Sequence, residues 1–155
     1  MVDNSAADRI AEELLEITGT ALLSGDLNKF RSCFDFPLRL ETVDGIRIVK
    51  TAEEFRTVFE DVRKHLKESK VVDFVRTVVS AIFVDPDTIH SIHVCNDIHE
   101  SGLLERSAYP VRSVLNRHGD RWKISACLYI ILDSPTHNAA LVNTTSVELE
   151  DQRLM

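Results

Sequence analysis

The chain is 155 residues long, carries a formal net charge of −7, and is 44% hydrophobic and 28% charged. That size suits one domain with its own core, and the composition excludes wholesale disorder. The acidic balance argues against a nucleic-acid or anionic-membrane partner, because both are held chiefly by Lys and Arg.

Residues 1–8 lack the basic start and apolar run of a secretory signal. The longest mostly apolar stretch, 71–84, is broken by Asp73, Arg76, Thr77 and Ser80, which is too polar for a bilayer span. Cys33, Cys95 and Cys127 are widely spaced, with no paired motif. They read as small buried side chains of a cytoplasmic protein.

Taken in chain order, Ile10, Leu14, Ile17 and Ala21 form one stripe at helical spacing. Ser5 and Asp8 suit a capping pair for this helix, and Gly25 suits its stop. Asp26 then suits the N-cap of a second helix with Leu27, Phe30 and Phe34 on one face, ended by Pro37. Residues 38–43 and 46–49 flank Asp44-Gly45 and predict a hairpin. Thr51 and Glu54 make a capping box for a third helix, whose inner face carries Phe55, Val58, Phe59, Val62 and Leu66.

From Val71 the period becomes two. Four strands are predicted at 71–84, 88–100, 105–116 and 121–132. Asp85-Pro86-Asp87, Ser101-Gly102 and His118-Gly119-Asp120 separate them with turn chemistry, and loops this short force antiparallel neighbours. Ser134-Pro135 ends the sheet. The reading is a single domain over 1–133, with 134–155 an extension that packs on a neighbour. The order predicts an α+β fold: a cone-shaped, curved antiparallel sheet capped by three N-terminal helices, with a residual cavity.

Three local features carry a resemblance. They are the opening helix running into Gly25-Asp26-Leu27 and Phe30, the Asp44-Gly45 hairpin followed by a helix, and the close Gly119-Asp120-Arg121-Trp122-Lys123-Ile124. With this element order the chain resembles the nuclear transport factor 2-like superfamily, which includes SnoaL-like and ketosteroid-isomerase-like proteins. The resemblance implies a pocket between helices and sheet, and often a dimer through the sheet. It implies no single activity.

An acid or base in such a pocket needs an apolar setting that moves its pKa toward the working pH. In the second long strand, His93, Cys95, Asp97 and His99 share one face. His90, Ile92, Val94, Asn96 and Ile98 share the other. The second set is the more apolar and is expected to face the core. His93 and Asp97, the candidate catalytic residues, then lie in a dimer interface or at the mouth after a bulge. His90 and His93 fall on opposite faces, and His93 and His99 stand about 20 Å apart along a strand, so no metal site is expected.

Trp122, Ile124, Ala126, Leu128 and Ile130 form one face of the last strand, expected toward the helices with Arg112 opposite. Arg112 there would bind a ligand carboxylate or phosphate. It equally suits a cross-sheet partner for Asp or Glu, or a head group at the rim. Tyr109 and Tyr129 fall on the other face as half-buried strand tyrosines or a docking surface. Phe30, Phe34, Phe55 and Phe59 should form core, and with Trp122 they would line a pocket for a small apolar or aromatic ligand. Asp73 and Arg76 read as rim or dimer charges, and Arg63-Lys64-His65 and Glu12-Glu13 as solvated faces.

No Gly-x-Ser-x-Gly, GxGxxG or phosphate-binding glycine run occurs, so neither a nucleophilic serine nor a cofactor is expected. The readings left open are a cofactor-free isomerase or dehydratase-like enzyme using general acid–base chemistry, a non-catalytic binding protein, and a dimeric interaction module.

Overall fold

The computed structural model describes residues 4–104 and 107–142. Its order is α1 (Ser5–Ser24), α2 (Leu27–Ser32), β1 (Phe34–Thr42), β2 (Gly45–Val49), α3 (Ala52–Glu68), β3 (Val71–Asp85), β4 (Thr88–His99), β5 (Tyr109–His118), β6 (Arg121–Tyr129) and α4 (Pro135–Val142). The strands form one sheet in the order β2-β1-β6-β5-β4-β3. This is the α+β layout expected, a curved and unclosed sheet with helices against it.

Local chemistry accounts for most element ends. Gly25 takes φ 82° and its N–H bonds Ala21 O at 2.9 Å, the left-handed stop that a side chain would strain. Asp26 accepts from Lys29 N at 3.1 Å and Thr51 from Glu54 N at 3.1 Å, so both expected caps are present. At α1 the cap differs. Asn4 occupies the N-cap, and its side chain accepts from Phe83 N at 3.2 Å, tying the helix start to β3.

The second helix is shorter than expected. It ends at Ser32, and Phe34 is already strand. The cause is non-local: Ile124 N donates to Cys33 O at 2.7 Å, so pairing with β6 begins where the helix stops. β1 runs parallel to β6, which makes the sheet mixed rather than wholly antiparallel. The hairpin turn sits one residue earlier than expected. Gly45 pairs with Thr42, which leaves Val43 and Asp44 as the turn.

β3 to β6 form the expected antiparallel meander. Four bulges bend it. Val72, Val79 and Val84 are each skipped in the β3–β4 ladder, and Ser125 is skipped in the β5–β6 ladder. An extra residue on one strand kinks and twists it, which curves the sheet around a hollow. All three skipped valines are exposed.

α1 to α4 fill the concave side. α3 presents Phe55, Val58, Phe59, Val62 and Leu66 inward, as its spacing required. α4 packs against α3 and β1, with His137, Asn138, Leu141 and Val142 buried. The extension assigned to 134–155 therefore supplies a helix to the concave side over Pro135–Val142, and residues 143–155 lie outside the described residues. Arg63 and His65 are not solvated. Arg63 donates to the Leu22 and Leu23 carbonyls at the end of α1, and His65 is buried.

Candidate functional site

The concave side encloses a cavity of about 100 Å³. That is several times the roughly 10–15 Å³ that one water requires. Its floor is aromatic. Phe30 of α2, Phe34 of β1, and Phe55 and Phe59 of α3 meet with ring centroids 4.8 to 5.6 Å apart. All four line the cavity. Three helix-borne rings and one strand ring converge here because α2 is pinned by the Cys33–Ile124 bond just beneath it.

The opposite wall is polar. His93 and Cys95 of β4, Tyr109 and Ser113 of β5, Cys127 and Tyr129 of β6, and His137 of α4 all reach the cavity. This reverses two faces expected from alternation. On β4 the buried side carries Ile89, Ser91, His93, Cys95 and Asp97, whereas Ile92 and Val94 lie half-buried on the outer side. The more apolar set failed as a guide because the enclosed face here is a polar cavity wall.

On β6 the bulge at Ser125 shifts the phase. Ile124 and Cys127 both face inward, and Tyr129 follows. Ala126 and Leu128 turn outward, and so does Arg112, which borders a groove on the outer face with Arg39 and Glu41. Arg112 is therefore not at the cavity. Trp122 does not line it either; its ring meets Phe83 edge-on at 5.9 Å. Tyr109 and Tyr129, placed on the outside by alternation, are inside.

Asp97 lies just behind this wall with 0% exposure. Its Oδ1 accepts from Tyr109 Oη at 3.2 Å and from Cys95 Sγ at 3.4 Å. Its Oδ2 stands 4.0 Å from His137 Nδ1. The His137 ring stacks on His65 with centroids 4.6 Å apart and meets Tyr109 edge-on at 5.8 Å. This sets a carboxylate behind an imidazole that fronts the cavity, at a separation longer than a hydrogen bond. Sequence spacing could not reveal it, since His137 stands alone in a weakly periodic segment.

Burial sets the protonation of the wall. It holds the His93 imidazole down at about 3, helped by the nearby Arg76 charge, so this ring is neutral at pH 7. It pushes the Cys95 thiol up to about 12, with the Asp97 carboxylate adding to the rise. Tyr109 and Tyr129 are raised well above the ordinary phenol value by the same desolvation. The wall thus offers neutral donors and acceptors rather than thiolate or phenolate. Among the described residues, no three His, Cys, Asp or Glu side chains are grouped to hold a metal ion, and no helix is long and apolar enough to cross a membrane.

This architecture has solved counterparts. An NTF-2 like protein of unknown function from Shewanella oneidensis MR-1 superposes with a TM-score of 0.63 at 12% identity, covering 79% of this chain and 98% of that one. A ketosteroid isomerase-like protein from Erwinia carotovora atroseptica SCRI1043 gives a TM-score of 0.62 at 12% identity, covering 86% of this chain and all of that one (100%). The fold is nuclear transport factor 2-like. A domain of unknown function with a cystatin-like fold from Nostoc punctiforme PCC 73102 matches at a TM-score of 0.65 and 15% identity, over 98% of this chain and 93% of that chain. No protein-family model matches the sequence, and no curated protein does. Likeness at these identities establishes the nuclear transport factor 2-like fold and leaves activity to the site itself.

Proposed function

We propose that this nuclear transport factor 2-like chain binds a small apolar or aromatic molecule in its cavity and acts on it by cofactor-free general acid–base chemistry of the isomerase or dehydratase type. The observation that carries the reading is the Asp97–His137 approach at 4.0 Å beside a hollow with an aromatic floor. His137 touches the cavity and is the candidate catalytic residue. Asp97 does not touch it and is a positioning residue, holding Tyr109 and Cys95 and lying 4.0 Å from His137 Nδ1. His93, which lines the cavity as a neutral imidazole, supplies a hydrogen bond rather than a charge.

A non-catalytic binding protein is the second reading. The observation favouring it is the raised pKa of Tyr109, Tyr129 and Cys95, which keeps those groups out of proton transfer near neutrality. Native mass spectrometry of the purified chain tests the shared claim. A bound species that is lost on denaturation supports a pocket. Polypeptide mass alone, together with no thermal stabilisation by small ring compounds such as phenylacetamide, overturns it. Turnover of the released species by the wild type and not by His137→Asn separates enzyme from binder.

The outer sheet face is proposed as a homodimer surface. Ile82, Ile92, Val114 and Leu128 form a groove there, rimmed by Arg39, Glu41, His90 and Arg112. An apolar centre with a charged rim is how protein interfaces are built. The buried free thiols of Cys33, Cys95 and Cys127 suit a reducing compartment, in keeping with the cytoplasm.

A further inference from the structure

One cation of the cavity wall carries a donor with no acceptor among the described residues. Arg76 of β3 sits opposite Cys95 in the β3–β4 register and lines the cavity. Its Nη2 is buried and has no hydrogen-bond partner among the described residues. Leaving such a group unpaired costs its full desolvation penalty, which is larger when it is charged.

The surroundings nevertheless make room for it. Gly19 lies buried inside α1, and a Cβ there would stand 2.5 Å from Arg76 Nη2. Glycine is a poorer helix former than alanine, so admitting the guanidinium against α1 has an energetic cost of its own. The Arg76 head also lies over the Phe74 ring, 5.3 Å from its centroid, which fixes the plane of its fork. Glu16 and Asp73 border the groove on the outer side of Arg76, and its Nη2 bonds to neither.

A second group points the same way. His93 lines the cavity and is 6% exposed. It stands two positions from Cys95 on β4, close enough for the Arg76 charge to act on it. Arg76, with its planar donor fork, and His93, with its neutral imidazole, both line the one hollow that the four phenylalanines also line.

We propose that the cavity takes a small organic acid, its carboxylate held by Arg76 and His93 and its apolar body laid against Phe30, Phe34, Phe55 and Phe59. This rests on the pocket reading above and adds the charge of the ligand. The two oxygens of a carboxylate match the guanidinium fork. A phosphate dianion would need more donors than one arginine and one neutral histidine in so apolar a space. The chain's net charge of −7 gives no long-range attraction for an anion, so the selectivity is local to Arg76.

Isothermal titration of the full chain with phenylacetate and with its neutral counterpart phenylacetamide, at pH 7.5, tests this. The wild type should bind the acid at least about tenfold more tightly, the scale of one charge-assisted hydrogen bond. Arg76→Gln should bring the two affinities together while leaving that of the amide unchanged, which also shows that the variant is folded. Gly19→Ala, whose Cβ displaces the guanidinium, should weaken the acid selectively and provides a second route should Arg76→Gln fail to fold. Equal binding of acid and amide by the wild type overturns the anion inference and leaves the pocket standing. Binding of neither overturns both.

Discussion

Tyr109 and Asp97 are joined by a 3.2 Å hydrogen bond across β5 and β4, and the carboxylate has 0% exposure. The phenol is the nearer of two donors on Oδ1, the other being Cys95 Sγ at 3.4 Å, and its ring lines the cavity. Tyr109→Phe keeps the ring and removes the donor. It should lower stability by about 1–3 kcal/mol, because a buried charged acceptor loses a partner. Urea unfolding measures this. A change within the roughly 0.5 kcal/mol typical of surface substitutions would show that the bond contributes nothing.

His93 predicts an acid-side loss of stability. Its native pKa is held at about 3 against an ordinary 6.5. Between those values the unfolded chain binds a proton that the native chain does not, so stability falls as pH falls from about 6.5. The limiting slope is about 1.4 kcal/mol per pH unit for one proton. The carboxylates titrate too, so the comparison is with His93→Gln. The wild type should lose stability more steeply than the variant from pH 6.5 to 5 in urea titrations. Parallel pH profiles would mean that His93 becomes charged in the folded protein.

The thiols should be quiet. Cys33, Cys95 and Cys127 are buried, and burial raises all three above the ordinary thiol pKa. Only the thiolate attacks, so Ellman's reagent at pH 8 should leave the native chain unmodified and label it fully in denaturant. Rapid labelling of one cysteine without denaturant would place that residue at an open surface.

The outer groove predicts self-association. Sedimentation at micromolar concentration should give a dimer, and Ile82→Glu should give a monomer. Ile82 is exposed in the single chain, so its replacement leaves the core intact. A wild type that sediments as a monomer would reject this surface.

The sequence revealed elements better than it revealed faces. Thr51 with Glu54 marked the start of α3, and Asp85-Pro86-Asp87 and His118-Gly119-Asp120 marked the turns of the meander, because caps and turns are local chemistry. Much of the cavity floor was legible too, since Phe55 and Phe59 stand four apart on α3 and Phe30 stands three after Leu27 on α2. The wall was not. A bulge such as that at Ser125 moves every later side chain to the other face, and nothing in Ile124-Ser125-Ala126 announces it. The inward set on β4 is polar because it faces a hollow, so the rule that the more apolar side is core pointed Arg112 inward and His93 outward. The parallel β1–β6 pairing and the arrival of His137 from α4 depend on contacts between distant parts of the chain.

A crystal structure grown with phenylacetate reads the hollow directly. Ligand density is expected within contact distance of Phe30, Phe55 and Phe59 on one side and of Tyr109 and His137 on the other. A cavity closed over by those side chains, with phenylacetate absent or only on the outer surface, would contradict it.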